Sequence, residues 1–290
     1  MLKFNEGRAC DAIIRHLEVR AGVQRSNVRL HDNDPQRDRN VELTFDLGGD
    51  FYAMEHTGIE PFSDFMRMNR EAYRLFEPII IAVSAAVPPN EVFELHIPAG
   101  VLTRRKKRDL KNIQDTLVRF ILDGAPKLPL RRYADWRGVE PDVPPGVPFA
   151  VKLFRFASSV DLIGRCQLRH VLAGDVELLR ADRIRKVCDE KFPKLAKWKA
   201  SHNARTVLIL EDNDIQNTNE AIVAETFLPI ALARDDRPDE TYVLATHAPG
   251  GIWFACPILI DTDTYFELSE RYHPIHREID SAKLSAITSR

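Results

Sequence analysis

Long apolar runs are missing from this sequence of 290 residues. A membrane-crossing helix needs about 20 consecutive apolar residues. The longest stretch here, PIIIAVSAAVP (Pro78 to Pro88), is far shorter and closed by proline at both ends, so no membrane partner is expected. The opening residues MLKFNEGRACD lack the charged-then-apolar layout of a signal peptide, and a cytoplasmic protein is expected. Cysteine is scarce. Cys10, Cys166, Cys188 and Cys256 are widely scattered and form no C-x-x-C pair, which argues against a zinc ribbon and for reduced, buried thiols. Net charge is nearly absent at a formal -2, so any affinity for nucleic acid must come from local patches. The signatures G-x-x-x-x-G-K-[ST], G-x-G-x-x-G and G-x-S-x-G do not occur, which removes the commonest nucleotide-binding and serine-hydrolase patterns.

What is present suits a folded protein: 44% hydrophobic residues and a chain long enough to bury one large core or two small ones. Asn5 is placed to cap a first helix running to Ala21-Gly22, in which Cys10, Ile13, Ile14 and Leu17 recur at helical spacing. A short strand is expected at Val28 to Leu30. Two further strands flank Gly48-Gly49-Asp50, a hairpin turn signal. In the first, Val41, Leu43, Phe45 and Leu47 alternate with Glu42, Thr44 and Asp46, the period of a half-buried strand. Ser63 is placed to cap a helix reaching Phe76, and a strand at Val92 to Ile97 and a helix at Leu110 to Leu122 follow. The proline-rich GVEPDVPPGVP (Gly138 to Pro148) predicts a boundary between units at 1–137 and 149–290. Beyond it, FAVKLFRFAS and LIGRCQLRHVL are expected to pair as strands, and Asp182 to Ser201 to form a charged helix bent at Pro193. The strand RTVLILED and a helix after Asn217 come next. This succession predicts an α/β fold, a mixed β-sheet flanked by helices.

The hairpin NVELTFDLGGDFYAMEHTGIEPF (Asn40 to Phe62) carries the chemistry. Residues two apart on a strand share a face, so Glu55 and Thr57 point one way and His56 the other. Glu42 and Asn40 share a face of the preceding strand. If register aligns the two faces, two carboxylates converge where one hard divalent cation would sit, holding a water for attack on a phosphodiester. His56 reads as a hydrogen-bonded strand histidine. The plain alternative is that Glu42, Thr44 and Asp46 form only the wet face of an antiparallel strand.

These residues resemble the PD-(D/E)XK, or restriction-endonuclease-like, nuclease superfamily. The resemblance implies a core of order α-β-β-β-α-β over about the first hundred residues, with a C-terminal α/β extension. Glu55-His56-Thr57 would stand in the D/E-x-K place and Glu42, or Asn40, in the place of the earlier acid. Glu6 on the first helix would assist, making Glu6, Glu42 and Glu55 the ligands of Mg²⁺ or Mn²⁺. Thr57 stands where the family has lysine, and Arg67, Arg70 or Arg74 on the next helix, Arg70 foremost, would supply the positive charge. The implied activity is metal-dependent hydrolysis of DNA or RNA. The alternatives are an inactive nucleic-acid-binding module of the same fold and a protein-interaction component.

Three further stretches bear on function. RRKKR (Arg104, Arg105, Lys106, Lys107, Arg108) is the densest basic cluster and would contact nucleic-acid phosphates without reading sequence, or form a solvated helix start. LILEDNDIQNTNE places Glu211, Asp212 and Asp214 after an apolar strand and reads foremost as a strand-to-helix loop, with Asn217 capping. The bases from Arg183 to Lys199 form either a phosphate-tracking surface or a soluble helix exterior. YHPIH (Tyr272 to His276) is a poor metal signal, with a proline between its histidines.

Overall fold

The computed structural model describes residues 6–31, 41–60, 65–98, 101, 106–132, 135–157, 165–171, 176–212, 219–246, 251–272 and 274–287. The elements run α1 (Glu6–Ala21), β1 (Ser26–Leu30), β2 (Leu43–Leu47), β3 (Asp50–Ile59), α2 (Phe65–Ser84), β4 (Glu91–Pro98), α3 (Lys107–Gly124), β5 (Lys152–Ala157) and β6 (Arg165–Val171). Then follow α4 (Val176–His202), β7 (Arg205–Asp212), α5 (Glu220–Leu232), β8 (Glu240–Ala245), β9 (Ile252–Ile260), β10 (Asp263–Thr264), α6 (Tyr265–Arg271) and β11 (Arg277–Asp280). They fall into two units, one formed by residues 1–63 together with 177–290, the other by residues 64–176. The expected boundary at 138–148 therefore lies inside the second unit. Asp142 and Val151 form a bridge, and Val147 within the proline-rich segment and Phe149 just after it are buried. Those prolines shape a packed loop and do not link domains.

The first unit is built on an eight-stranded mixed sheet in the order β1-β2-β3-β7-β8-β9-β10, with β11 also paired to β9. The β2–β3 hairpin forms where predicted. Gly48 and Gly49 turn it with φ of +63° and +95°, the left-handed region that a two-residue hairpin turn requires and glycine enters freely. β3 pairs parallel with β7, and β7 with β8. Strand alternation then sorts the core in two. Leu43, Phe45, Met54, Val207 and Ile209 pack against Ile13, Ile14 and Leu17 of α1. Ala53, Leu208 and Leu210 on the other face pack against Val187, Cys188, Phe192 and Leu195 of α4 and Phe227 of α5. Pro193 lies within α4, and Pro229 within α5. Asn219, not Asn217, caps α5: its side chain accepts the Ile222 N–H at 2.9 Å. Asn217, Asn5 and Ser63 lie outside the described residues.

The second unit centres on a three-stranded sheet, β5-β4-β6. The strands expected to pair with each other, β5 and β6, instead flank β4 on either side. Phe93, Leu95 and Ile97 pack there against Phe76, Ile79 and Val83 of α2 and Ile113, Leu117 and Ile121 of α3. α2 runs through Pro78 to Ser84, beyond the expected end at Phe76. α2 and β4 thus belong to the second unit, and the helix and strand that follow the hairpin in the first unit are α4 and β7. Among the described residues no helix is long and apolar enough to cross a membrane.

Ile209 is fully buried on the central strand β7, whereas Ile81 on α2 is 68% exposed. Ile209→Ala is expected to lower unfolding free energy by about 2–5 kcal/mol, and Ile81→Ala to change it by less than about 0.5 kcal/mol, both measured by urea denaturation.

Candidate functional site

The β2–β3 register opposes Leu43 to Met54 and Thr44 to Ala53. Continued by one residue, it sets Glu42 beside Glu55. The backbone confirms the juxtaposition: the Glu42 N–H donates to Glu55 Oε1 at 3.1 Å, and the His56 N–H to Glu42 Oε2 at 2.6 Å. Both carboxylates point to the face covered by α4. There the Lys191 ammonium donates to both, to Glu42 Oε1 at 2.7 Å and Glu55 Oε2 at 2.5 Å. Lys194, one turn further along, stands 4.0 Å from Glu55 Oε1.

The Glu55 side chain is fully buried, while those of Lys191 and Glu42 keep about a seventh of their surface, 14% and 16%. Burial, reinforced by the neighbouring Glu42 charge, pushes the Glu55 carboxyl up to about 7, although Lys191 and Lys194 oppose the shift. Burial works against the Lys191 charge as well, but the two carboxylates outweigh it and hold the ammonium above the ordinary lysine range. Two acids thus share one hydrogen-bonded base, Lys191, with Lys194 at the limit of ion-pair distance, in a nearly dry environment. Burial of two neighbouring acids favours a proton on one of them.

His56 lies on the opposite face, as alternation predicts. Its Nε2 is 2.8 Å from Glu211 Oε2, and the Thr246 hydroxyl donates to Glu211 Oε1 at 3.2 Å. Glu211 and Asp212 are the last two residues of β7 and are 2% and 1% exposed. They are buried strand residues and not the loop acids expected, while Asp214 lies outside the described residues. Cys10 of α1 packs on this face. Burial raises its thiol pKa well above the usual value, and the charges of Glu42, Glu6, Glu55 and Glu211 add to the shift.

The other expected site residues are placed differently. Thr57 shares Glu55's face and is half-buried, paired with Leu210 across the sheet. Glu6 opens α1, on the face opposite the Glu42–Glu55 pair. Among the described residues no group of three or more His, Cys, Asp or Glu is arranged to hold a metal ion, so Glu6 does not join the pair as a third ligand. Arg67, Arg70 and Arg74 ride on α2 in the second unit, so the helix that answers the hairpin is not theirs. The side chain of Arg70 is outside the description, and Arg67 and Arg74 are exposed. Lys106 and Arg108 are exposed at the start of α3; Arg104, Arg105, Asn40 and the Lys107 side chain lie outside the description.

Lys191 is the residue that sequence reasoning missed, because it was counted among the bases of a solvated helix. Its signal was periodicity. Ile184, Val187, Cys188 and Leu195 are buried, and position 191 falls on the same stripe, at i+7 from Ile184 and i+4 from Val187. A lysine at a core position of a helix requires a buried counter-charge. Compared with protein-family models, with curated proteins and with solved structures, the chain matches none of them.

Glu55 ionises at about 7 in the folded chain against an ordinary 4.5. Between those values the folded state holds the extra proton, so its contribution to stability is present below about 4.5 and is lost as pH rises to 7. At ~1.4 kcal/mol per pKa unit the full shift amounts to about 3–4 kcal/mol, of which about 2–3 kcal/mol is lost between pH 4.5 and pH 7. Glu55→Gln removes this slope. Urea denaturation at pH 4.5 and pH 7 is expected to show wild type losing stability relative to the variant by that amount, and a constant gap between the two proteins would contradict the assignment.

Proposed function

We propose that the first unit is a divergent PD-(D/E)XK core and that the chain is a metal-dependent nuclease, with the Glu42–Glu55–Lys191 cluster as its reactive centre. The observation that carries this reading is the convergence of two carboxylates and a lysine on one face of a β-hairpin. The element order of the first unit supports it: α1, three strands, then α4 and β7, with β7 parallel to β3. The second unit enters the chain between β3 and α4 as an insertion. On this reading Lys191 supplies the positive charge that Thr57 lacks, from the helix instead of the strand.

The donor set suits a magnesium or manganese ion, because Mg²⁺ is commonly held by one or two carboxylates and keeps several of its waters. Glu42 and Glu55 would hold it. Such an ion supplies charge neutralisation at a phosphodiester and a more acidic water. The chain's own groups do the rest. Glu55, poised to ionise near neutrality, accepts or holds a proton at its carboxylate. The Glu42 N–H and His56 N–H fix the two carboxylates in place. Lys191 orients both acids and can donate a hydrogen bond to a phosphate oxygen brought to them. Lys106 and Arg108, exposed on the second unit, are candidates for sequence-blind phosphate contact.

One observation favours a second reading, an inactive nucleic-acid-binding module of the same fold: Lys191 already satisfies both carboxylates, as a purely structural ion pair would. The two readings separate by experiment. With Mg²⁺ or Mn²⁺ the purified chain is expected to cleave DNA or RNA, and Glu42→Gln or Glu55→Gln to lower the rate at least a hundredfold with the fold intact by circular dichroism. Lys191→Met is expected to tighten Mn²⁺ binding in calorimetry, since the competing ammonium is gone, while lowering cleavage at least tenfold. Salt-sensitive binding without cleavage, weakened by Lys106→Ala with Arg108→Ala, would support the inactive module instead.

A further inference from the structure

The first unit contains a second concave feature, at the end of the sheet where β7 and β8 begin. It is a cavity of about 970 Å³ between α1, β9, α6 and β11, within the size range of small-molecule sites. Its lining combines three kinds of group. Arg20 and Arg277 are cationic, Asp261 and Glu278 are acidic, and Ile275 is apolar, with the ring of Tyr272, 55% exposed, beside it.

The arginines are held in advance. Arg20 donates to Glu240 Oε1 at 2.6 Å and to the Tyr242 hydroxyl at 2.7 Å; Arg205 donates to the same Glu240 oxygen at 2.6 Å and to Asp261 at 3.0 Å. Glu240 is fully buried. Burial alone would raise its pKa, but Arg20, Tyr242 and Arg205 outweigh this and keep it ionised, below the ordinary range. Neither guanidinium uses all five of its donors in these contacts. Arg271 pairs with Asp263 at 2.5 Å. Arg277 is exposed and, among the described residues, forms no ion pair. On the cavity wall the Nδ1 of His16 is buried with no hydrogen-bond partner among the described residues. Burial and the nearby Arg20 and Arg277 lower this imidazole to about 4, so it is neutral at physiological pH.

We propose that this cavity is a binding site for a small ring-bearing phosphate with the chemistry of a nucleoside monophosphate. The mixed lining selects that class. Arg277, backed by the spare donors of Arg20, offers the planar fork that matches a phosphate. Asp261 and Glu278 accept from sugar hydroxyls, which a purely anionic ligand would not offer. Tyr272 and Ile275 cover a planar ring. A simple inorganic anion would leave the apolar wall wet, and an apolar ligand would leave Arg277 unanswered.

Calorimetric titration of the full chain with AMP, UMP, adenosine and inorganic phosphate tests the proposal. At least one of the two monophosphates is expected to bind, more tightly than adenosine or phosphate alone. Arg277→Ala and Tyr272→Ala, both at exposed positions, are each expected to weaken that binding at least tenfold. Glu55→Gln is expected to leave it unchanged, which separates this site from the carboxylate pair and from the nuclease reading. Failure of both monophosphates to bind at millimolar concentration would overturn the proposal. So would adenosine binding as tightly as AMP, or indifference to Arg277→Ala.

Discussion

A single ammonium holds two buried carboxylates together in this protein, and much of the first unit is arranged around that contact. Lys191 lies on the apolar stripe of α4, where an unpaired charge would cost several kcal/mol. Glu55 is buried on β3, where the same argument applies with the opposite sign. Each makes the other tolerable, and Glu42 joins them through the hairpin register. The partners are 149 and 136 residues apart in the chain, with the whole second unit between them. The cluster therefore exists only once the chain has returned from that unit and laid α4 across the sheet. Removing either side alone leaves a buried charge without compensation, so the contact ties the two segments of the unit together.

The hairpin was legible in the sequence because its signals are local. Alternation from Leu43 to Leu47, two glycines at the turn, and the two-residue spacing of Glu55 and Thr57 need no knowledge of the rest of the chain, although Val41, expected on the face of Leu43, packs on the other side of the sheet. The same alternation assigned His56 to the far face, where it meets Glu211. What local pattern does not carry is membership of a sheet. A helix and a strand follow the hairpin directly, and α2 and β4 looked like its continuation. They build a different sheet, because Phe93, Leu95 and Ile97 find their partners on α2 and α3. The division of the chain was misread for a related reason. Proline marks irregular backbone, and irregular backbone is as much at home in a packed loop such as 138–148 as in a linker. Lys191 was hidden by composition: in a helix holding Arg183, Arg185, Lys186, Lys194, Lys197 and Lys199, one more base draws no notice unless the buried stripe is drawn first.

Strand β3 pairs on both sides, with β2 and β7, and its C-terminal half is unusual for such a strand. Glu55 is buried on one face and His56 on the other, and the neighbouring β7 ends in Glu211 and Asp212, both buried. A sheet interior of this kind is ordinarily a run of branched apolar residues, as Val207 to Leu210 are. Buried polar groups are stabilising only when every member is satisfied, and here the carboxylates of Glu42, Glu55 and Glu211 are each met by named donors. The concentration of such groups at one end of parallel strands matches the place where open α/β sheets present their chemistry, outside the carboxyl ends of the strands. The cavity between α1 and β9 lies toward the other end, so the two sites are distinct features of one sheet.

The balance of charge is the strongest physical argument that the cluster is more than a strut. A structural ion pair needs one acid for one base. Here two acids converge on Lys191, and the nearest other base, Lys194, stands 4.0 Å from Glu55, beyond a hydrogen bond. Burial, with the Glu42 charge added to it, pushes the Glu55 carboxyl to about 7 in spite of both lysines. A site tuned for stability alone would replace one glutamate with glutamine and keep every hydrogen bond to Lys191. Keeping both carboxylates makes the site costly at neutral pH and leaves Glu55 able to take up a proton. Perturbed carboxylates of this kind cluster at functional sites because chemistry needs groups poised between two charge states. From its one position the lysine makes the buried carboxylate pair foldable.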